Sequence, residues 1–186
     1  MIPVSAIMRG GSCGTGEGKR MGIAYAAEHW TDFGVATAGA AAALVGLLAV
    51  AISINLERIL QFPSLPHRAA QTLILFALPL VTSLLLIVPG QPTAALGSEL
   101  LAVGLATGTF MLVTDARTPM SEQESQFSRL FARILPSIVT GGCLVAAGAT
   151  LIAEAGGGLY WLVPAVLAAI IFGLINAWVL LIEIQR

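Results

Sequence analysis

The sequence predicts an all-α fold, a polytopic bundle of five transmembrane helices. Three observations carry the prediction. The 186 residues are 57% hydrophobic and only 10% charged, against about 25% charged in an average soluble domain. Mean hydropathy is +0.90. Five apolar runs, about 33–56, 69–88, 95–114, 130–153 and 159–182, are separated by proline, glycine or charged residues. At 1.5 Å rise per residue, each run is long enough to cross a hydrocarbon core of about 30 Å as a helix. A net charge of -1 argues against a nucleic-acid binder, which would show a basic face.

Residues 1–20, MIPVSAIMRGGSCGTGEGKR, form a Gly-rich tail without periodicity. They lack the apolar core of a signal peptide, and they precede Met21, a second possible start. GTGEGKR does not satisfy the phosphate-loop pattern, because Cys13 stands where the first glycine belongs and Arg20 where Ser or Thr belongs. Residues 21–186 read as one integral membrane domain. Tyr25 and Trp30 suit the membrane interface, and Thr31 or Asp32 can cap the first helix.

That helix carries no charge from Phe33 through Ile54, and Gly34, Ala38, Ala42 and Gly46 recur every four residues. Lipid supplies no hydrophobic drive for helix association, so small side chains that let backbones approach are what packs helices together. The first helix is therefore expected at the centre of packing, with its small residues also serving a homo-oligomer interface. Pro63 and Pro66 end its extension. The second span carries Pro79, which predicts a kink with Thr82 and Ser83 repairing freed carbonyls. The short Pro89-Gly90-Gln91-Pro92 turn makes spans two and three antiparallel neighbours. Gly104 and Gly108 form a GxxxG pair in the third span.

The polar loop Asp115–Ser128 contains Ser121 and Glu124 at capping-box spacing. Phe127, Leu130, Phe131 and Ile134 follow at helical spacing, with Arg129 and Arg133 on another face, where they can snorkel to lipid phosphates. Glu154-Ala-Gly-Gly-Gly breaks the fourth run, and the fifth holds Asn176 and Trp178 deep inside. From Met21 onward, Arg58, Arg68, Arg117, Arg129, Arg133 and Arg186 all fall on one side and no Lys or Arg on the other. The positive-inside rule then places the N-terminus outside and the C-terminus in the cytoplasm of a cell-membrane protein.

Polar groups inside a bilayer cost about 2.5 to 3.5 kcal/mol on insertion scales, so each needs a reason. Asn55, Glu57, Glu99, Glu154 and Asn176 qualify. Ser53, Asn55 and Glu57 recur at alternate positions, spread around the helix end; with Asn176 they are the candidate polar path. The competing reading makes Glu57 part of an interfacial cap with Arg58 and Arg68, and Asn176 an interhelical hydrogen-bonding residue. His29 and His67 are the only histidines, and no HExxH, GxSxG or Cys/His cluster occurs. Cys13 and Cys143 show no metal or disulfide spacing, and Cys143 reads as a small packed hydrophobe. No enzymatic activity, metal or cofactor is expected.

The run FGVATAGAAAALVGLLAVAISINLERIL, with LPHRAAQTL and LLLIVPGQ after it, resembles a set of small actinobacterial multi-spanning membrane proteins. Some of these carry the label of modulators of the FtsH protease. The resemblance covers Trp30 to Gly97 and implies an integral membrane protein with a regulatory role; it brings no catalytic or binding residues. Two functions follow as expectations. One is a non-catalytic accessory subunit acting by helix–helix association with a partner complex. The other is a small homo-oligomeric channel or transport module with a path near Asn55, Glu57 and Asn176.

Overall fold

The computed structural model describes residues 22–61, 65–117 and 135–185, and no strand occurs among them. Among the described residues, six helices of six residues or more follow a short helical segment at 22–25: α1 (Thr31–Ile54), α2 (Leu56–Gln61), α3 (Leu65–Ile87), α4 (Thr93–Arg117), α5 (Leu135–Ala153) and α6 (Leu162–Gln185). Short 3-10 turns at Ala27–Trp30 and Gly158–Trp161 lead into α1 and α6. Among the described residues, five helices are long and apolar enough to cross a membrane, the expected number. Their surfaces are inverted relative to a water-soluble protein. Leu47, Ile54 and Trp178 are 70%, 77% and 67% exposed, and side chains this apolar belong against lipid rather than water.

The helix ends follow local chemistry. α1 stops at Asn55, whose backbone leaves the helical region (φ -108°, ψ 16°) while its N–H still donates to Ile52 O. The Asn55 carboxamide folds back and donates to Ala51 O at 2.9 Å, so residue 55 closes one helix and hands over to α2. α3 runs unbroken through Pro79, which has no N–H to offer Leu75 O. The repair differs from the one expected. Thr82 Oγ1 donates to Leu78 O at 2.9 Å and to Pro79 O at 3.1 Å, one turn beyond the carbonyl that proline frees. Gly90 takes φ +69° in the tight turn to α4, a conformation that is cheap only without a Cβ.

The bundle has a closed part and an appended part. α3, α6, α5 and α4 pack in a ring, each on the next, with the tightest contact between α4 and α5 and the slightest between α4 and α3. α1 stands outside the ring and packs chiefly on α3. The expectation of a central first helix is thereby corrected: α3 is the hub, bounded by α1, α6 and α4. The reason is volume. Glycine and alanine offer α1 little side chain to bury, whereas α3 inserts Leu75, Phe76, Leu78 and Leu86, all at most 5% exposed.

Glycine governs two of the ring contacts. α4 and α5 run antiparallel with Gly97 opposite Gly148 and Gly104 opposite Gly141. A Cβ added at Gly148 would lie 2.5 Å from Gly97 O and 2.7 Å from Leu101 N, inside any tolerable contact. At Gly104 it would lie 2.9 Å from Leu144 Cβ and 3.0 Å from Val145 N. The two backbones touch because neither carries a side chain there. On the other side of the ring, Gly173 of α6 lets the Phe76 ring of α3 approach its backbone closely, with Cε1 2.5 Å from where a Cβ would be.

Candidate functional site

The predicted small-residue stripe of α1 divides by depth. Gly34 is buried, and a Cβ there would meet Ile87 Cγ1 at 3.0 Å. Ala38 is half-buried, and Ala42 and Gly46 are exposed. Nothing lies within 4 Å of a Cβ placed on Gly39 or Gly46. The residues with which α1 meets the ring are instead Gly34, Thr37, Ala41 and Leu48. Its opposite face presents Gly39, Ala42, Ala43, Gly46, Ala49 and Ser53, all exposed. Val35 and Val50, 57% and 58% exposed, stand on the same face beside these small residues.

Gly104 belongs to the α4–α5 contact described above. Gly108 has open space over its own Cα, yet a Cβ on Gly141 would approach that Cα to 3.3 Å. The GxxxG pair of the third span thus serves packing within the chain. Gly141 and Gly148 escaped the sequence reading, and Gly97 was seen in the third span without a role, although the seven-residue spacings 97–104 and 141–148 were available as a signal.

None of the four residues of the candidate polar path lines the grooves and cavities found among the described residues. Ser53 and Glu57 are exposed, and Asn55 is occupied with Ala51 O. Between α1 and α6 runs a groove of about 180 Å³ floored by Phe76 and walled by Leu44, Leu47, Leu174 and Leu181. None of the four residues lines it. Asn176 is half-buried on α6. A second groove, about 730 Å³, opens between α3 and α4 from His67 to Thr114, with Leu105 and Phe110 among its walls. Arg129, Arg133, Ser121, Glu124 and the residues around Cys13 lie outside the described residues.

A polar cavity lies at the opposite end of the bundle from Arg58 and Arg68. Its frame is aromatic. Trp30 stands edge-on to Phe33 and Tyr160, with ring centroids 5.7 and 5.1 Å apart, and its Nε1–H donates to Ile23 O at 3.0 Å. Gly157 N–H donates to Tyr25 Oη at 3.3 Å. Gly157 and Gly158 adopt φ +111° and +53°, and Gly158 abuts Ala24 and Tyr25 so closely that no side chain would fit. The segment before α1 is thereby clamped to the turn before α6. Between this strap, the end of α3 and the start of α4 lies a cavity of about 520 Å³. Gln91 lines it and donates from Nε2 to Glu99 Oε2 at 2.6 Å. Glu99 is thus held by an amide; the sequence reading placed it near the start of the third span, at the headgroup level or inside the bundle.

Among the described residues, no group of three or more His, Cys, Asp or Glu side chains is placed to hold a metal ion. Comparison with family models, with characterised proteins and with solved structures produced no match.

Proposed function

We propose that the protein is a non-catalytic membrane subunit that acts by helix–helix association, docking the outward face of α1 against a partner complex. The observation that carries this reading is the exposed line Gly39, Ala42, Gly46, Ala49 and Ser53 on a helix that stands outside the ring. Within a bilayer, small residues give a helix its closest approach to another helix, and against lipid they give nothing comparable. Glu57 and Arg58, exposed beyond the end of α1, would meet polar groups of the same partner at the membrane surface.

The arginine distribution supports an orientation in the cell membrane with the N-terminus outside and the C-terminus in the cytoplasm. A regulatory role is in keeping with the resemblance of Trp30–Gly97 to proteins labelled modulators of the FtsH protease. A homo-oligomer assembled through α1, with a conducting path between copies, is the second reading. It is favoured by Asn176, a carboxamide deep in α6, because polar groups at that depth ordinarily pair across helices.

Native mass spectrometry after gentle extraction from the source membrane separates the two. A mixed complex, lost on Gly46→Leu, supports the accessory subunit. A homo-oligomer lost on the same substitution supports the channel reading and leads to flux assays on Asn55, Glu57 and Asn176 variants. A monomer that Gly46→Leu leaves unchanged overturns both.

A further inference from the structure

We propose that the groove between α3 and α4 holds an acyl chain of an anionic phospholipid, whose headgroup sits at His67 and Arg68. The inference stands apart from whether α1 docks a partner, since no residue of α1 lines the groove.

The groove follows from weak packing. α3 and α4 are joined at the Pro89–Pro92 turn and make the slightest contact of the ring. Away from that turn, α3 gives the wall only His67 and Ala70. α4 supplies the rest from Leu105, Ala106, Thr109, Phe110 and Val113, which share one helical face. All seven side chains are exposed. Ala70 and Ala106 present a single methyl each, and the room they leave belongs to a volume of about 730 Å³. Sites for small molecules ordinarily span about 300 to 1,000 Å³.

Depth and charge name the occupant. His67 and Thr114 mark the mouth, and the Thr114 hydroxyl is spent on Phe110 O at 2.7 Å. From there to Leu105 the helix descends about 14 Å at 1.5 Å per residue, close to half of a hydrocarbon core of about 30 Å. The groove thus spans one leaflet. Lipid tails are as apolar as leucine, so hydrocarbon fills an apolar groove that opens on a bilayer and that no described helix closes.

The mouth selects the headgroup. The described charged side chains at this end are Glu57, Arg58 and Arg68, with His67 beside them; Asp115 and Arg117, next after Thr114 in sequence, cancel formally. Basic side chains at a membrane surface attract anionic lipid, and a guanidinium matches the geometry of a phosphate. The opposite end carries Glu28, Asp32, Glu99 and Glu154, with no Lys or Arg among the described residues. An anionic headgroup is therefore favoured at one end only, the end where the groove opens.

The test uses the full chain in nanodiscs, with phosphatidylglycerol that carries a photoreactive group in its acyl chain. Crosslinks are expected on Ala70, Leu105, Ala106 or Phe110, and unlabelled phosphatidylglycerol should compete at least fivefold better than phosphatidylcholine of the same chains. Ala106→Trp fills the groove and should lower crosslinking at least tenfold. Ala102→Trp, exposed on α4 but outside the lining, should leave it unchanged. His67→Glu should abolish the preference for phosphatidylglycerol while crosslinking persists. Equal competition by the two lipids, or equal losses on Ala102→Trp and Ala106→Trp, would reduce the bound lipid to the ordinary annulus and overturn the proposal. A preference unmoved by His67→Glu overturns it too, by removing the headgroup from the mouth. So does a photoreactive side chain introduced at Ala106 that captures residues 118–134 or a second copy of the chain in place of lipid.

Discussion

The glycines of α1 and those of the α4–α5 pair are alike in sequence and opposite in use. In α4 and α5 they face each other, and a Cβ at Gly148 would collide with the backbone of Gly97 and Leu101. In α1, Gly39 and Gly46 face outward with nothing within 4 Å. A small residue in a membrane helix is thus a licence for close approach, and the rest of the fold decides whether the chain itself uses it. The inner pair is closed within the ring; the outer face has no neighbour within the chain.

The comparison can be broken most directly at Gly148. Gly148→Val is expected to destabilise the protein by about 3 kcal/mol, since the obstructing atoms are backbone and cannot rotate away. Gly142→Val, on the same helix with open space over its Cα, serves as the control. Unfolding in mixed micelles reads both, and equal midpoints would show that the inner pair is not as close as described.

A second substitution sharpens the contrast by confronting a side chain instead of backbone. Gly173→Ala meets the Phe76 ring and is expected to cost about 1 to 2 kcal/mol. Phe76→Leu in the same chain should return part of that, with a coupling of about 1 kcal/mol in the double-mutant cycle. Strict additivity would separate the two residues.

At the strap, Trp30→Phe keeps the ring against Phe33 and Tyr160 but removes the donor to Ile23 O. A loss of about 1 kcal/mol is expected, together with faster proteolysis of the segment before α1. Unchanged cleavage would mean that the indole N–H does not hold the strap. The smallest change in stability is expected at Gly46→Leu, within about 0.5 kcal/mol as for other surface positions, while native mass falls to that of the lone chain. A stability loss as large as that of Gly148→Val would place Gly46 inside a contact and erase the distinction between the two helices.

Much of the architecture was legible beforehand because bilayer thickness imposes its own ruler. Any apolar run of about 20 residues must become a helix to satisfy its backbone, and Pro63, Pro66, Pro89 and the Glu154–Gly158 break punctuate the runs. The candidate sites were read less well. Ser53, Asn55, Glu57 and Asn176 stood out as polar residues in apolar surroundings, but one is spent on its own helix and two face outward. The Gln91–Glu99 hydrogen bond was not foreseen, since eight residues and a turn separate the two side chains.

By itself the sequence determined that the chain has five helices long and apolar enough to cross a membrane, and to within a few residues where most of their ends fall, because length and hydropathy act locally. Which helix sits at the centre was decided only in three dimensions. Gly34 and Gly46 have the same chemistry and lie on one helix, yet one is packed and the other open. The difference comes from Leu86 and Ile87 of α3, residues that no local pattern in α1 encodes.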